Sequence, residues 1–109
     1  FFNGGFPFVD LASGGTVQGY ISNLEKALSW IDDDTSVIPG HGPLGTKADL
    51  LAFYNVVKDT STTIRVMKSQ QMSAEEAVAE GLGDEYESWG QGFINEQRWI
   101  ETVFASYPR

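Results

Sequence analysis

Between Thr46 and Met67 the apolar residues return at helical spacing. Leu50, Phe53, Tyr54, Val57, Ile64 and Met67 fall on one stripe. A helix of this kind gains most of its stability by burying its stripe against other elements, so it constrains everything around it. Thr46 with Asp49 three residues later resembles a capping box, with Asp in the Glu role, and marks the helix start. The middle, Thr60-Ser61-Thr62-Thr63, has weak helix propensity. One continuous helix is the expectation; a bend or a break at that point is the alternative.

Three more segments carry the same signature. Val17, Tyr20, Ile21, Leu24, Leu28 and Ile31 define a helix over roughly 16–31, with Thr16 as N-cap. Ser73-Ala74-Glu75-Glu76 is a second capping box and opens a short helix that ends near Gly81, with Met72 placed to staple against Ala77. Asn95 caps a last helix whose apolar residues are Trp99, Ile100, Val103, Phe104 and Tyr107. Residues 83–92 form a loop, with Tyr86 and Trp89 as anchors onto the body.

Strand signals are fewer. Phe1-Phe2 and Phe6-Pro7-Phe8-Val9 flank the tight-turn sequence Asn3-Gly4-Gly5, and Pro7 confines the second run to an edge or an irregular path. Ser36-Val37-Ile38 is a short β-prone run stopped by Pro39. Helix, acidic turn, short strand, Gly-rich turn and helix follow one another, which is an α/β order. The expected architecture is therefore α/β: one domain over residues 1–109, with a few short strands and about four helices packed on one side.

The net charge of −8 argues against a nucleic-acid partner and against an anionic membrane surface. Lys47, Lys58, Arg65 and Lys68 share one segment but are interleaved with acids and apolar residues, as on a solvated helix face. Without cysteine there is no disulfide, thiolate zinc site, iron–sulfur cluster or Cys nucleophile. No apolar run approaches the ~20 residues that span a bilayer. The chain opens on Phe1 in the middle of a pattern, as the inside of a longer protein would.

The residue that most invites chemistry is His41, the single histidine, in Pro39-Gly40-His41-Gly42-Pro43. The glycines let a ligand approach closely and the prolines stiffen the turn. An imidazole so placed reads either as a metal ligand or as a loop histidine that hydrogen-bonds locally. Zinc takes three or four protein ligands, and with no Cys and no second His only carboxylates remain. None is spaced to share a site with His41.

Other constellations are weaker. Asp32-Asp33-Asp34 lacks the remaining signature of a calcium loop and reads as a helix-terminating turn. Asp10 reads as holding its own loop through backbone hydrogen bonds, with a place near a metal as the alternative. Ser13-Gly14-Gly15 resembles a phosphate cradle but has no P-loop Lys, so helix entry is its reading. Ser13, His41 and Asp10 make a triad only on paper, since no nucleophile elbow is present. Tyr86, Trp89, Phe93, Trp99 and Phe104 read as core packing, with an oligomer interface as the alternative.

Taken with its flanks, Asp32-Asp33-Asp34-Thr35-Ser36-Val37-Ile38-Pro39-Gly40-His41-Gly42-Pro43 strongly resembles the last metal-ligand segment of metallo-β-lactamase-fold hydrolases. Phe1 through Asp10, Ser13-Gly14-Gly15 and the helix through Tyr20 are similar to the segment that follows the bridging Asp in one subgroup. The residues after Thr46, including Trp89-Gly90 and Phe93, are similar to that subgroup's C-terminal tail. The resemblance covers nearly the whole chain and implies that His41 is a metal ligand of a dinuclear zinc centre. The intact parent would hydrolyse an ester, thioester, amide or similar bond by a metal-bound hydroxide. The family's His-x-His-x-Asp-His motif, its third His and its bridging Asp are absent from these residues. The expectation is thus a C-terminal portion, inactive alone, with zinc in the parent and with the missing N-terminal half or a homo-oligomer covering its exposed faces. The rival expectation is a non-enzymatic oligomerisation or interaction module.

Overall fold

The computed structural model describes residues 1–108, and among them it is built from helices. α1 is Val17–Trp30, α2 is Lys47–Ser69, α3 is Ala74–Glu80 and α4 is Glu96–Ser106. Two 3₁₀ segments, Leu11–Ser13 and Asp84–Gly90, shape the connections.

All four α-helix starts are where side-chain chemistry puts them. The hydroxyls of Thr16 and Ser73 and the amide oxygen of Asn95 accept from Gly19, Glu76 and Arg98 N–H at 3.0, 3.1 and 2.8 Å. Thr46 and Asp49 close a reciprocal box, as do Ser73 and Glu76. The Glu76 carboxylate is held below the usual range because it accepts hydrogen bonds from the Ser73 backbone and hydroxyl.

α2 is one unbroken helix of 23 residues. The weak run in its middle stays helical because each hydroxyl turns back onto the helix. Thr60 Oγ1 donates to Val56 O at 2.6 Å, Ser61 and Thr62 to Lys58 O at 2.9 Å, and Thr63 to Asp59 O at 3.1 Å. Tertiary contact decides the rest. Thr60 and Ser61 are buried, and Thr60 Oγ1 also accepts the Trp99 indole N–H at 2.8 Å.

α2 is the axis of the molecule, touching α1, α3 and α4, while α4 also packs on α1 and α3. The core between them comprises Val17, Leu24, Phe53, Val57, Ile64, Trp99, Ile100 and Val103 with their neighbours. Phe6 stacks over Trp99, ring centroids 6.0 Å apart. At the far end, Val17 N–H donates to Ser106 Oγ at 2.9 Å and ties the start of α1 to the end of α4. The Lys68 ammonium donates to the carbonyls of Phe104 and Tyr107, satisfying the C-terminus of α4.

The α/β expectation is overturned. Among the described residues there is no β-strand and no sheet, only two isolated bridges, Phe2 with His41 in parallel and Val37 with Gly45 in antiparallel sense. Each expected strand fails for a local reason. Ser36-Val37-Ile38 makes one reciprocal pair, Val37 N–H to Gly45 O at 2.8 Å and Gly45 N–H to Val37 O at 2.9 Å, before Pro39 removes the next donor. Phe6-Pro7-Phe8-Val9 sends its Phe6 N–H to Trp89 O at 3.0 Å instead of to a ladder. Its side chains Phe6, Pro7 and Val9 are buried in the body. The helices therefore do not pack on one side of a sheet. They bury their stripes on one another, with extended chain filling the gaps.

Candidate functional site around His41

Two loops far apart in sequence meet at His41. The His41 backbone N–H donates to Phe1 O at 3.2 Å, and its carbonyl accepts from Asn3 N–H at 2.9 Å. Asn3 Nδ2 donates to Pro43 O at 2.8 Å, clamping the far side of the turn. The Asn3-Gly4 turn closes as expected, with Gly5 N–H on Phe2 O at 3.2 Å and Gly4 at positive φ.

Gly42 is demanded twice over. Its φ is +93°, and a Cβ built there would lie 2.6 Å from Asn3 O. The Pro39–Pro43 turn can lie against Asn3 only with no side chain at this position.

The imidazole stacks on the Phe2 ring, centroids 4.2 Å apart and planes 2° apart. It is exposed to solvent, and among the described residues no protein group hydrogen-bonds to its ring nitrogens. The local hydrogen bonds of His41 among the described residues run through its backbone. Beside it is a cleft of about 240 Å³ bounded by Phe2, Asn3, Gly5, Gly42 and Phe93. Ile38 and Leu44, 85% and 67% exposed, are each one residue inside the Val37–Gly45 bridge.

The residues present do not fit a complete metal centre. Among the described residues no three His, Cys, Asp or Glu side chains are grouped to hold an ion. Asp10 accepts from Ser13 N–H at 3.2 Å and caps the Leu11–Ser13 turn, which is the loop-holding role read from the sequence. Among the described residues no hydrogen bond links His41 to Ser13 or to Asp10, so the paper triad does not form. Asp32 Oδ1 accepts from Asp34 N–H at 2.9 Å and from Thr35 Oγ1 at 3.2 Å; the acidic run is a turn after α1. A larger cleft of about 510 Å³, edged by Glu80, Asp84, Glu87 and Glu96, is lined without His41, and among the described residues it gathers no metal-holding group either.

The aromatic set divides. Trp99 is buried, Tyr86, Trp89 and Phe104 are half-buried against the core, and Phe93 is 66% exposed with its ring edge-on to Phe8. Sequence reasoning did not foresee the clamp by Asn3 or the Phe2 stack. Both depend on partners about forty residues apart, and no periodicity encodes that pairing.

Compared with known protein families, with curated proteins and with solved structures, the chain matches none.

Proposed function

We propose that the Pro39–Pro43 turn presents His41 as one imidazole ligand of a zinc centre of the metallo-β-lactamase superfamily type, with the other ligands supplied from outside residues 1–109. On this reading the chain is the C-terminal portion of a metal-dependent hydrolase and is inactive by itself. The observation that carries it is the state of the His41 ring. It is exposed, stacked flat on Phe2 and free at its nitrogens, on a turn whose backbone is clamped to Phe1–Asn3. A ligand held this way loses little further freedom when a metal arrives. The Phe1–Asn3 and Pro39–Pro43 segments that carry the resemblance are also the two that meet here. One imidazole is too few for a firm site, so no catalytic step is assigned to this chain.

The test has two arms. The reading frame encoding the chain is read upstream, where an in-frame His-x-His-x-Asp-His is expected. The protein it encodes is then purified and its zinc measured. Stoichiometric zinc that falls in His41→Ala supports the reading; zinc unchanged in that variant defeats it.

A second reading is favoured by three exposed apolar side chains, two of them flanking the turn in sequence. Trp30, Ile38 and Leu44 are 80%, 85% and 67% exposed. An oligomerisation module would bury them against a second copy. Light scattering of the wild type and of Ile38→Asp/Leu44→Asp separates the two. A dimer that dissociates in the variant supports the module, and a wild-type monomer excludes it.

A further inference from the structure

The groove between α1 and α2 collects positive charge in a chain whose net charge is −8. Lys58, Arg65 and Lys68 recur at seven- and three-residue steps, which brings them to one side of α2. We propose that this groove binds a small organic anion, its phosphate or carboxylate head between Lys58 and Arg65 and its apolar body against Tyr107 and Pro108. This stands apart from the reading of His41 and survives its failure.

Arg65 is the centre of the argument. Its guanidinium carbon lies 4.3 Å from the centroid of the Tyr107 ring, so the fork is held by stacking. Arg65 also lines the cleft that holds Lys58, where its N–H groups suit a bidentate oxyanion contact. Clefts open on both sides of it. One, of about 260 Å³, is lined by Gln18, Ser22, Glu25 and Lys58. The other, of about 350 Å³, is walled by Val66, Lys68, Tyr107 and Pro108. Arg65, Thr62 and Tyr107 border both, so the charged and the apolar cleft adjoin at the Arg65–Tyr107 pair. Together they reach the size of a small-molecule site.

The remaining charges define the polarity. Lys58 extends 5.6 Å from the Tyr54 ring centroid and faces the first cleft. Glu25 is the acid of that cleft, and it accepts the Tyr54 hydroxyl at 2.6 Å, which ties it to the Tyr54 side. The lining of the cleft thus carries two cations and one tethered carboxylate, with Asp59 acting on Lys58 from outside the lining. Lys68 is committed to the end of α4 and closes the far wall instead of reaching for the ligand.

The experiment titrates phenyl phosphate, inorganic phosphate and benzoate into the whole chain and follows backbone amide shifts by NMR. Saturable shifts confined to residues 18–25, 58–69 and 107 are expected, with phenyl phosphate tighter than inorganic phosphate. Arg65→Ala weakens phenyl phosphate about tenfold or more, and Arg65→Lys restores only part of the loss, because an ammonium lacks the fork. Glu25→Gln tightens binding about two- to threefold by removing the opposing charge, and it leaves the helices in place. Lys26→Gln, on an exposed site of α1, changes nothing. Shifts spread equally over Lys26, Lys47 and Arg98, affinity unchanged in Arg65→Ala, or no response to Glu25→Gln would each overturn the proposal.

Discussion

The Trp99 layer and the His41 turn answer the same problem of satisfying a chain in opposite ways. Around Trp99 the apolar surface is out of water, and among the described residues no buried side-chain polar atom lacks a partner. Even the indole N–H has its acceptor in Thr60. Around His41 the imidazole itself is exposed, Phe1, Phe2 and Asn3 are half-buried, two large aliphatic residues stand in solvent, and order comes from a few backbone hydrogen bonds and one clamp from Asn3. The first region holds the molecule together. The second is positioned by the first and keeps its chemistry outward.

The sharpest way to break this contrast is Trp99→Ala. It removes a buried indole and the hydrogen bond that indole donates to Thr60, and should cost about 3–5 kcal/mol. Chemical denaturation should show that loss, whereas His41→Ala should leave the midpoint near wild type. Thr60→Val comes next. It keeps the volume but leaves the Trp99 N–H unsatisfied, at about 1–3 kcal/mol by the same measurement.

Gly42→Ala acts on the other region. The strained φ and the approach to Asn3 O should loosen the clamp by about 1 kcal/mol or more. NMR should show the Phe2–His41 ring contact weakened while global unfolding hardly moves; an equal fall in global stability would merge the two regions. The smallest effect is that of Glu76. Its pKa is lowered in the fold, so its contribution is present above the unfolded carboxylate value and is lost as pH falls through the folded one. The start of α3 should fray as Glu76 takes up its proton, below the usual carboxylate range, with the Trp99 layer intact, and Glu76→Gln should remove that pH dependence. Amide exchange at Glu76 checks both.

Much of the helical body was legible in the residues. Caps at Thr16, Thr46, Ser73 and Asn95 and the stripes behind them are local chemistry, and the structure places each start there. The strands were misread because Val37 and Phe6 have β-prone surroundings, while a strand also requires a partner able to return several hydrogen bonds. Here Pro39 and Pro7 break the ladders, and burial on helices offers those side chains more. At the candidate site, the need for Gly42 follows from a neighbour in space, so the sequence marked the turn without revealing why the glycine is there.

The sequence by itself therefore determined where the four helices begin, which faces they bury and that a single imidazole sits on a Gly-Pro turn. These are matters of neighbours within about four positions along the chain. Only the tertiary structure decided that the helices pack on one another without a sheet, that Thr60 serves Trp99, and that Phe1–Asn3 holds His41 outward. Each of those depends on which distant surfaces exclude water together and which distant donors find acceptors, and that is a property of the folded whole.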